Sequence, residues 1–413
     1  MREPADLPIR RNTVLLAAAL AANSAMLQLS AAVASLTLVL VVDVEGLLGL
    51  GPAIVLACGA LASLPAGRAM DRVGRIPVLA TGYGVGAAGC ALAAIGSETE
   101  FAPAVLGGLA GVGAASGVSL LARTAAGDMY PPERRARGIG MVLFGAVFGA
   151  ILGPAVFSPL LAGRDLDGGA LAPLWLAAGG FMLIGLVLVV SVRPDPRQIA
   201  ILLASHEGEQ GPAAPLAELL RRPGVIPAMV AAQASFAVMV AVMTLTGAVV
   251  VDHHHHAGHN VFPIIGAHVV GMYALVIVVG DVIDRIGRRP SLAAGLGVMA
   301  VSAVSLVWIE SVPAMAVALF GLGLGWNFSF VAATAELADS TRPAERGKLL
   351  GFNDLLAGAT GATLALAGGL ALTELGVVAL AAGATALVVA PAVWILRAAR
   401  LAPAPASRAP TSR

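Results

Sequence analysis

Charge is the scarcest thing in this sequence. Only 12% of its 413 residues are Asp, Glu, Lys or Arg, and only 4% are aromatic. A water-soluble globular chain carries roughly 25% charged residues, so too little polar surface exists here to cover a soluble fold. Lysine is nearly missing, with Lys348 alone against 24 arginines. The net charge of +1 leaves no bulk field for nucleic acid. Only two cysteines occur, Cys58 and Cys90, both inside apolar runs, which argues against a disulfide framework or structural zinc. What remains is 58% apolar, with a mean hydropathy of +0.89, and this excludes disorder and collagen-like repeats. The composition is that of a polytopic membrane protein.

A bilayer core takes about 20 apolar residues as helix. On that rule the chain divides into twelve spans, near 13–41, 47–66, 77–97, 102–122, 138–162, 171–192, 225–251, 261–280, 290–309, 312–335, 349–373 and 375–397. The first is too long for a signal-peptide core and is read as a retained helix. With the N-terminus placed in the cytoplasm, 24 of the 25 basic residues fall in inner segments and only Arg164 falls outside. Acids dominate the outer loops, among them Asp43, Glu98, Asp252 and Glu310. The expectation is an all-α protein of the cell inner membrane with both termini cytoplasmic. It divides into a six-helix bundle over 1–192, a Pro-rich cytoplasmic linker over 193–224 with a short helix near 215–222, a second bundle over 225–398 and a disordered tail over 399–413.

The two halves echo each other. Six of eleven positions are identical between Gly67–Pro77 and Gly280–Pro290, at an offset of 213. A second echo, Glu133-Arg134 with Glu345-Arg346, lies at 212. This is the pattern of a duplicated six-helix unit. In the loop motif, Gly67 and Gly280 permit close helix contact, and Gly74 and Gly287 permit a tight turn. Asp71 and Asp284 can cap a helix start or pair with arginine. Arg72, Arg75, Arg285 and Arg288 are assigned to the anionic inner surface.

On these residues the chain resembles the major facilitator superfamily of secondary transporters. Its signature is this loop between helices 2 and 3, repeated between 8 and 9. The resemblance covers about 10–398 and implies two pseudo-symmetric six-helix bundles rocking by alternating access. It also implies that the loop latches one state and is not a substrate site. Span 5 carries Gly145, Gly149, Gly153 and Pro154, similar to the antiporter motif of proton-coupled drug exporters, although Phe157-Ser158 replace the usual small pair. Gly107 stands where the family's helix 4 often has a coupling arginine, and Arg123 is assigned to the inner end of that helix.

By the same resemblance, spans 1, 4, 7 and 10 line the substrate cavity. Polar residues in apolar spans are the site candidates, since each is costly in lipid. They are Asn23 and Gln28; Ser116 and Ser119; Gln233, with Met239 and Met243 as adaptable wall; Trp326 and Asn327, with Phe330 one turn on; and Asn353. His268 in span 8 and Asp354 in span 11 are the titratable candidates for coupling or ligand contact. No arginine or lysine is read as deep in a span, so the expected substrate is a neutral or amphipathic organic molecule. The outer loop holds His253, His254, His255, His256 and His259 beside Asp252, enough imidazole for a divalent metal.

The expected function is proton-coupled export by a monomer, with small-molecule substrate, bilayer lipid and protons as partners and no resident cofactor. The alternatives are metabolite uptake by symport or facilitated diffusion, and a metal-linked transporter using the histidine loop. A membrane enzyme is not expected, because no nucleophile–base pair or metal cluster lies inside the spans.

Overall fold

The structure is a computed structural model that describes residues 7–42, 50–149, 151–152, 156, 168–204, 213–248 and 261–401. The described helices of the first half are α1 (Ile9–Val42), α2 (Leu50–Val73), α3 (Arg75–Glu98), α4 (Ala102–Leu120), α5 (Ala122–Met129), α6 (Arg135–Leu143) and α7 (Gly168–Val190). Two short helices, α8 (Pro196–Ala204) and α9 (Leu216–Leu219), lie in the linker. The second half contains α10 (Val225–Ala248), α11 (Val261–Tyr273), α12 (Val276–Ile286), α13 (Arg288–Ser305), α14 (Val312–Asp339) and α15 (Arg346–Leu401), the last broken at the non-helical Gly376. Seven described stretches are long and apolar enough to cross a membrane, or eight if α11 and α12, bent by 45°, form one span.

On the arginine-rich side, the ends of several helices run past their predicted limits. Span 2 reaches Val73 rather than 66, span 8 reaches Ile286 rather than 280, and span 10 reaches Asp339 rather than 335. Span 4 continues through α5 to Met129 rather than stopping at 122. Each added stretch carries charge, which makes a sequence reader stop the helix. In the fold Asp71, Arg123 and Asp128 of these turns are buried against protein, where partners replace water, while Arg68, Arg72 and Arg285 stay exposed.

The duplicated glycines do what their positions require. Gly74 and Gly287 have φ of 105° and 93°, the left-handed region open to glycine, and they separate α2 from α3 and α12 from α13. A Cβ on Gly67 would collide with the carbonyl oxygen of Gly347, and one on Gly280 would come within 2.8 Å of the Ala136 carbonyl oxygen. The backbones of the two halves therefore touch at α2–α15 and at α12–α6. Gly145 and Gly149 face α1, where a Cβ on either would strike the carbonyls of Ala17 and Ala21. Gly153 and Pro154 lie outside the described residues.

The linker is less free than its composition implies. Ile199, Ala214 and Leu219 are buried, and α8 is a helix the sequence reading did not foresee. Asp195 accepts the N–H groups of Arg75 and Ile76 at 3.1 and 2.9 Å, capping the start of α3 from the linker side.

Candidate functional site

Two related ion-pair clusters join the halves on the arginine-rich side. In the first, the Asp71 carboxylate accepts the N–H groups of Gly347 and Lys348 at 2.9 and 2.6 Å, capping the first turn of α15 in the other half. Asp71 also accepts from Arg75 Nη1 at 2.8 Å. Arg75 donates onward to Asp128 Oδ2 at 2.6 Å and to the Pro343 carbonyl at 2.6 Å. Arg346 Nη1 donates to the other Asp128 oxygen at 2.6 Å.

The second cluster repeats the first with the halves exchanged. Asp284 accepts the N–H groups of Ala136 and Arg137 at the start of α6, at 3.2 and 2.9 Å, and pairs with Arg288 at 2.5 Å. Arg288 donates to Asp339 and to the Pro132 carbonyl, and Arg135 donates to the other Asp339 oxygen. Each cluster has two acids and two arginines, so its buried charge cancels, as burial in low dielectric demands.

This geometry corrects two expectations. Arg75 and Arg288 are not at the inner surface: Arg75 is fully buried and the Arg288 side chain is 11% exposed. Of the four arginines assigned to that surface, only Arg72 and Arg285 are exposed. The second echo is also re-registered. Asp128, Pro132 and Arg135 match Asp339, Pro343 and Arg346 at an offset of 211, so Arg134 is not the partner of Arg346.

Glu345, which the echo matched with Glu133, instead fastens the linker. Its carboxylate accepts from Arg222 at 2.7 Å, from Arg342 at 2.6 Å and from the Ala214 N–H at 3.0 Å, and Lys348 donates to the Ala214 carbonyl. Burial opposes ionisation of Glu345, but the hydrogen bonds from Arg222 and Arg342 and two backbone N–H groups outweigh it and hold the carboxyl down at about 2, against an ordinary 4.5. A depressed carboxyl contributes stability that is complete above its unfolded value and lost as pH falls through the folded one. Thermal stability is therefore expected to fall between pH 5 and pH 2 with a component that Glu345→Gln removes; identical acid profiles for the two proteins would refute this clasp.

Toward the middle of the molecule the side chain of Arg123 is completely buried. Its Nη2 pairs with Asp354 of the other half, and its Nε donates to Thr334 Oγ1 at 3.2 Å. Its guanidinium lies 4.6 Å from the centre of the Phe330 ring. Phe330 stacks on Trp326 at 4.5 Å and 15°, and Tyr273 meets Trp326 edge-on at 5.9 Å. Trp326, Phe330 and Thr334 follow at four-residue intervals, so α14 presents them as one stripe leading to Arg123.

On this stripe and on the helices that pack against it, buried polar atoms stand without a partner among the described residues: Trp326 Nε1, both amide atoms of Asn327, Gln233 Oε1 and Asp354 Oδ2; Asn23 Oδ1 on α1 is likewise unpartnered. Buried polar groups are normally satisfied, so these exceptions on α10, α14 and α15 mark the candidate site.

A family description of the Major Facilitator Superfamily matches residues 13–280 and 255–413. The chain belongs to the major facilitator superfamily. This superfamily member is 33% identical over 328 residues to the MFS-type transporter YdeG of Bacillus subtilis (strain 168), covering 76% of this chain and 74% of that one. It is 34% identical over 306 residues to the riboflavin transporter RfnT of Brucella anthropi, covering 72% and 73%. Its fold is that of the human organic anion transporter MFSD10 (TETRAN), with a TM-score of 0.72, 16% identity and coverage of 94% and 100%. It is thus a multi-pass membrane transporter of twelve helices in two halves, in a family of transporters rather than enzymes.

The sequence candidates separate in this transporter. Trp326, Asn327, Phe330, Gln233 and Asp354 share the region of Arg123, with Gln233 Nε2 donating to Asn353 Oδ1 at 3.0 Å. Met239 is buried in the core nearby on α10. Gln28 is exposed. His268 is buried against α14, its Nδ1 2.9 Å from the Leu319 carbonyl, about 10 Å above Trp326 along the helix axis. The side chain of Met243 and the loop with His253, His254, His255, His256 and His259 lie outside the described residues. Among the described residues no three His, Cys, Asp or Glu converge on a metal position.

Sequence reasoning missed Arg123 and Asp128, because it ended span 4 at 122 and so placed both in the inner segment. The signal was present: Ser116, Ser119 and Arg123 recur at helical spacing on one face. The expectation that no buried arginine lies in a span is overturned: Arg123 is fully buried within Ala102–Met129, toward its arginine-rich end, with its charge offset by Asp354.

Proposed function

We propose that this transporter carries a small, neutral or amphipathic organic molecule with a flat aromatic part, by alternating access, and that it exports that molecule against proton influx. The observation that carries the reading is the Tyr273–Trp326–Phe330 aromatic group above the Arg123–Asp354 pair, surrounded by unpartnered polar atoms. A flat ring stacks on such a group, while its polar arm takes the free amide, indole and carboxylate positions. Riboflavin, which names one relative, combines a flat ring system with a polyhydroxylated chain, and is the probe of choice.

Asp354 is the coupling residue of this proposal. Its Oδ2 lacks a partner and its Oδ1 bridges the halves through Arg123. Protonation of Asp354 weakens that bridge, which favours separation of the halves on the arginine-rich side. The latched clusters make this the state closed on that side. The basic-residue asymmetry supports placing that side and both termini in the cytoplasm, in the inner membrane, with a monomer as the working unit.

The test uses purified protein in proteoliposomes with riboflavin and an imposed pH gradient. Flavin is expected to move opposite to the protons, and Trp326→Ala is expected to weaken its binding by about tenfold, the order of one lost aromatic stack. Flavin moving with the protons would replace export by symport. Flavin that neither moves nor quenches tryptophan fluorescence would refute the substrate class.

A further inference from the structure

A groove of about 640 Å³ runs down the outside of the first half on the arginine-rich side. Its walls are α1, α6 with its continuation, and α7, represented by Val14, Ala18, Phe144, Phe148 and Ile184. Ile277 of α12 closes one edge, so the groove crosses the seam between the halves. Here the seam is tight: a Cβ on Gly140 would lie 2.6 Å from the Val276 carbonyl oxygen. Arg10 stands at one end of the groove and Ala22 marks the other.

The dimensions and the charge name an occupant. The twelve helical steps from Arg10 to Ala22 span about 18 Å. Half of a bilayer core is about 15 Å deep. The groove therefore runs the depth of one leaflet, the length of one lipid chain. Its lining is almost wholly apolar. At the mouth, Thr13 Oγ1 and Tyr130 Oη hydrogen-bond to each other at 2.9 Å, which leaves Arg10 as the group facing outward. Arg10 is exposed and has no ion pair or hydrogen bond among the described residues. Its neighbours are committed elsewhere: Arg11 donates to the Ser191 carbonyl at 2.8 Å, and Arg137 pairs with Asp281 at 3.3 Å. An unpaired cation above a leaflet-deep apolar groove suits an anionic phospholipid, phosphate on Arg10 and one chain below.

We infer that this groove is a binding site for an anionic phospholipid of the leaflet on the arginine-rich side. Because the site is built from both halves, it is complete only while they are closed there, and the lipid stabilises that arrangement. The inference is independent of the transported substrate.

The test is native mass spectrometry of the full chain released from nanodiscs of equal phosphatidylglycerol and phosphatidylcholine. Wild type is expected to retain phosphatidylglycerol over phosphatidylcholine by about fivefold, the order of one arginine–headgroup contact. Arg10→Gln is expected to bring the ratio near parity. Ala18→Trp, which fills the groove, is expected to remove retained lipid of both kinds. Arg68→Gln, another exposed arginine, should leave the ratio unchanged. Parity in wild type would overturn the inference. So would equal losses in Arg10→Gln and Arg68→Gln, which would mean a general surface charge, and so would Ala18→Trp with undiminished lipid. Circular dichroism of each variant confirms that it has folded.

Discussion

Arg123→Ala is expected to lower transport by about a hundredfold or more and to destabilise the detergent-purified protein. The cause is the partner it leaves behind. Asp354 is 8% exposed, and Arg123 is the cation that compensates it across the two halves. Removing one member of a buried pair typically costs about 3–5 kcal/mol, because the remaining charge has neither water nor a counter-ion. Without Arg123, Asp354 also loses the bridge between the halves that the proposed cycle makes and breaks. The double variant Arg123→Ala with Asp354→Asn should recover most of the thermal stability and none of the proton-driven flux. A double variant no more stable than Arg123→Ala would show that the pair does not bear this energy. Flux that survives in the double variant would remove Asp354 as the coupling group. The stability measurement needs no substrate, so it stands even if riboflavin is not carried.

Asp71→Asn should release the arginine-rich side, and by more than Asp284→Asn does. Each carboxylate receives two backbone N–H groups of the other half and one arginine. A side-chain amide presents an N–H where the carboxylate presented an oxygen, so donors face donors. Hydrogen bonds to a charged group contribute about 1.5–3 kcal/mol, which is roughly a 10- to 150-fold shift in the balance of two states. Asp71 has the larger effect because its arginine, Arg75, is fully buried and shares Asp128 with Arg346. Asp284 works through a more exposed Arg288. Spin labels at positions 72 and 285, both exposed in the two motif copies, report the separation of the halves. The distance distribution is expected to broaden to longer values in Asp71→Asn, while substrate affinity changes little. An unchanged distribution would show that the cap does not latch the halves.

Much of this was legible in the chain because it rests on local rules. Helix in lipid follows from apolar runs, since backbone groups there must be satisfied internally. The repeated Gly67–Pro77 and Gly280–Pro290 stretches announced the duplication, and the positive φ of Gly74 and Gly287 is a requirement that glycine alone meets readily. Trp326, Asn327, Phe330, Gln233 and Asp354 could be singled out because a polar or bulky aromatic group in a Leu- and Ala-rich span needs a reason.

Other features were not legible, and for one physical reason. A charge at a helix end reads as an exit into water, because in sequence a solvated arginine and a buried paired one look the same. Arg75, Arg123 and Asp128 were therefore placed outside the spans, although each finds a counter-charge on another helix: Arg75 with Asp128, Asp128 with Arg346, and Arg123 with Asp354. The same ambiguity hid the linker clasp at Glu345, whose acceptors are filled from Arg222, Arg342 and Ala214.

The sequence by itself determined that this protein lies in a membrane, that it is built from a repeated half, and where its turns and its costly polar residues fall. These depend on composition and on contacts between near neighbours. Only the tertiary structure decided which charges are buried, which half each one grips, and that an arginine underlies the aromatic group. Those outcomes depend on the desolvation of each group against the partner brought to it, and partners more than 200 residues apart are joined by the fold alone.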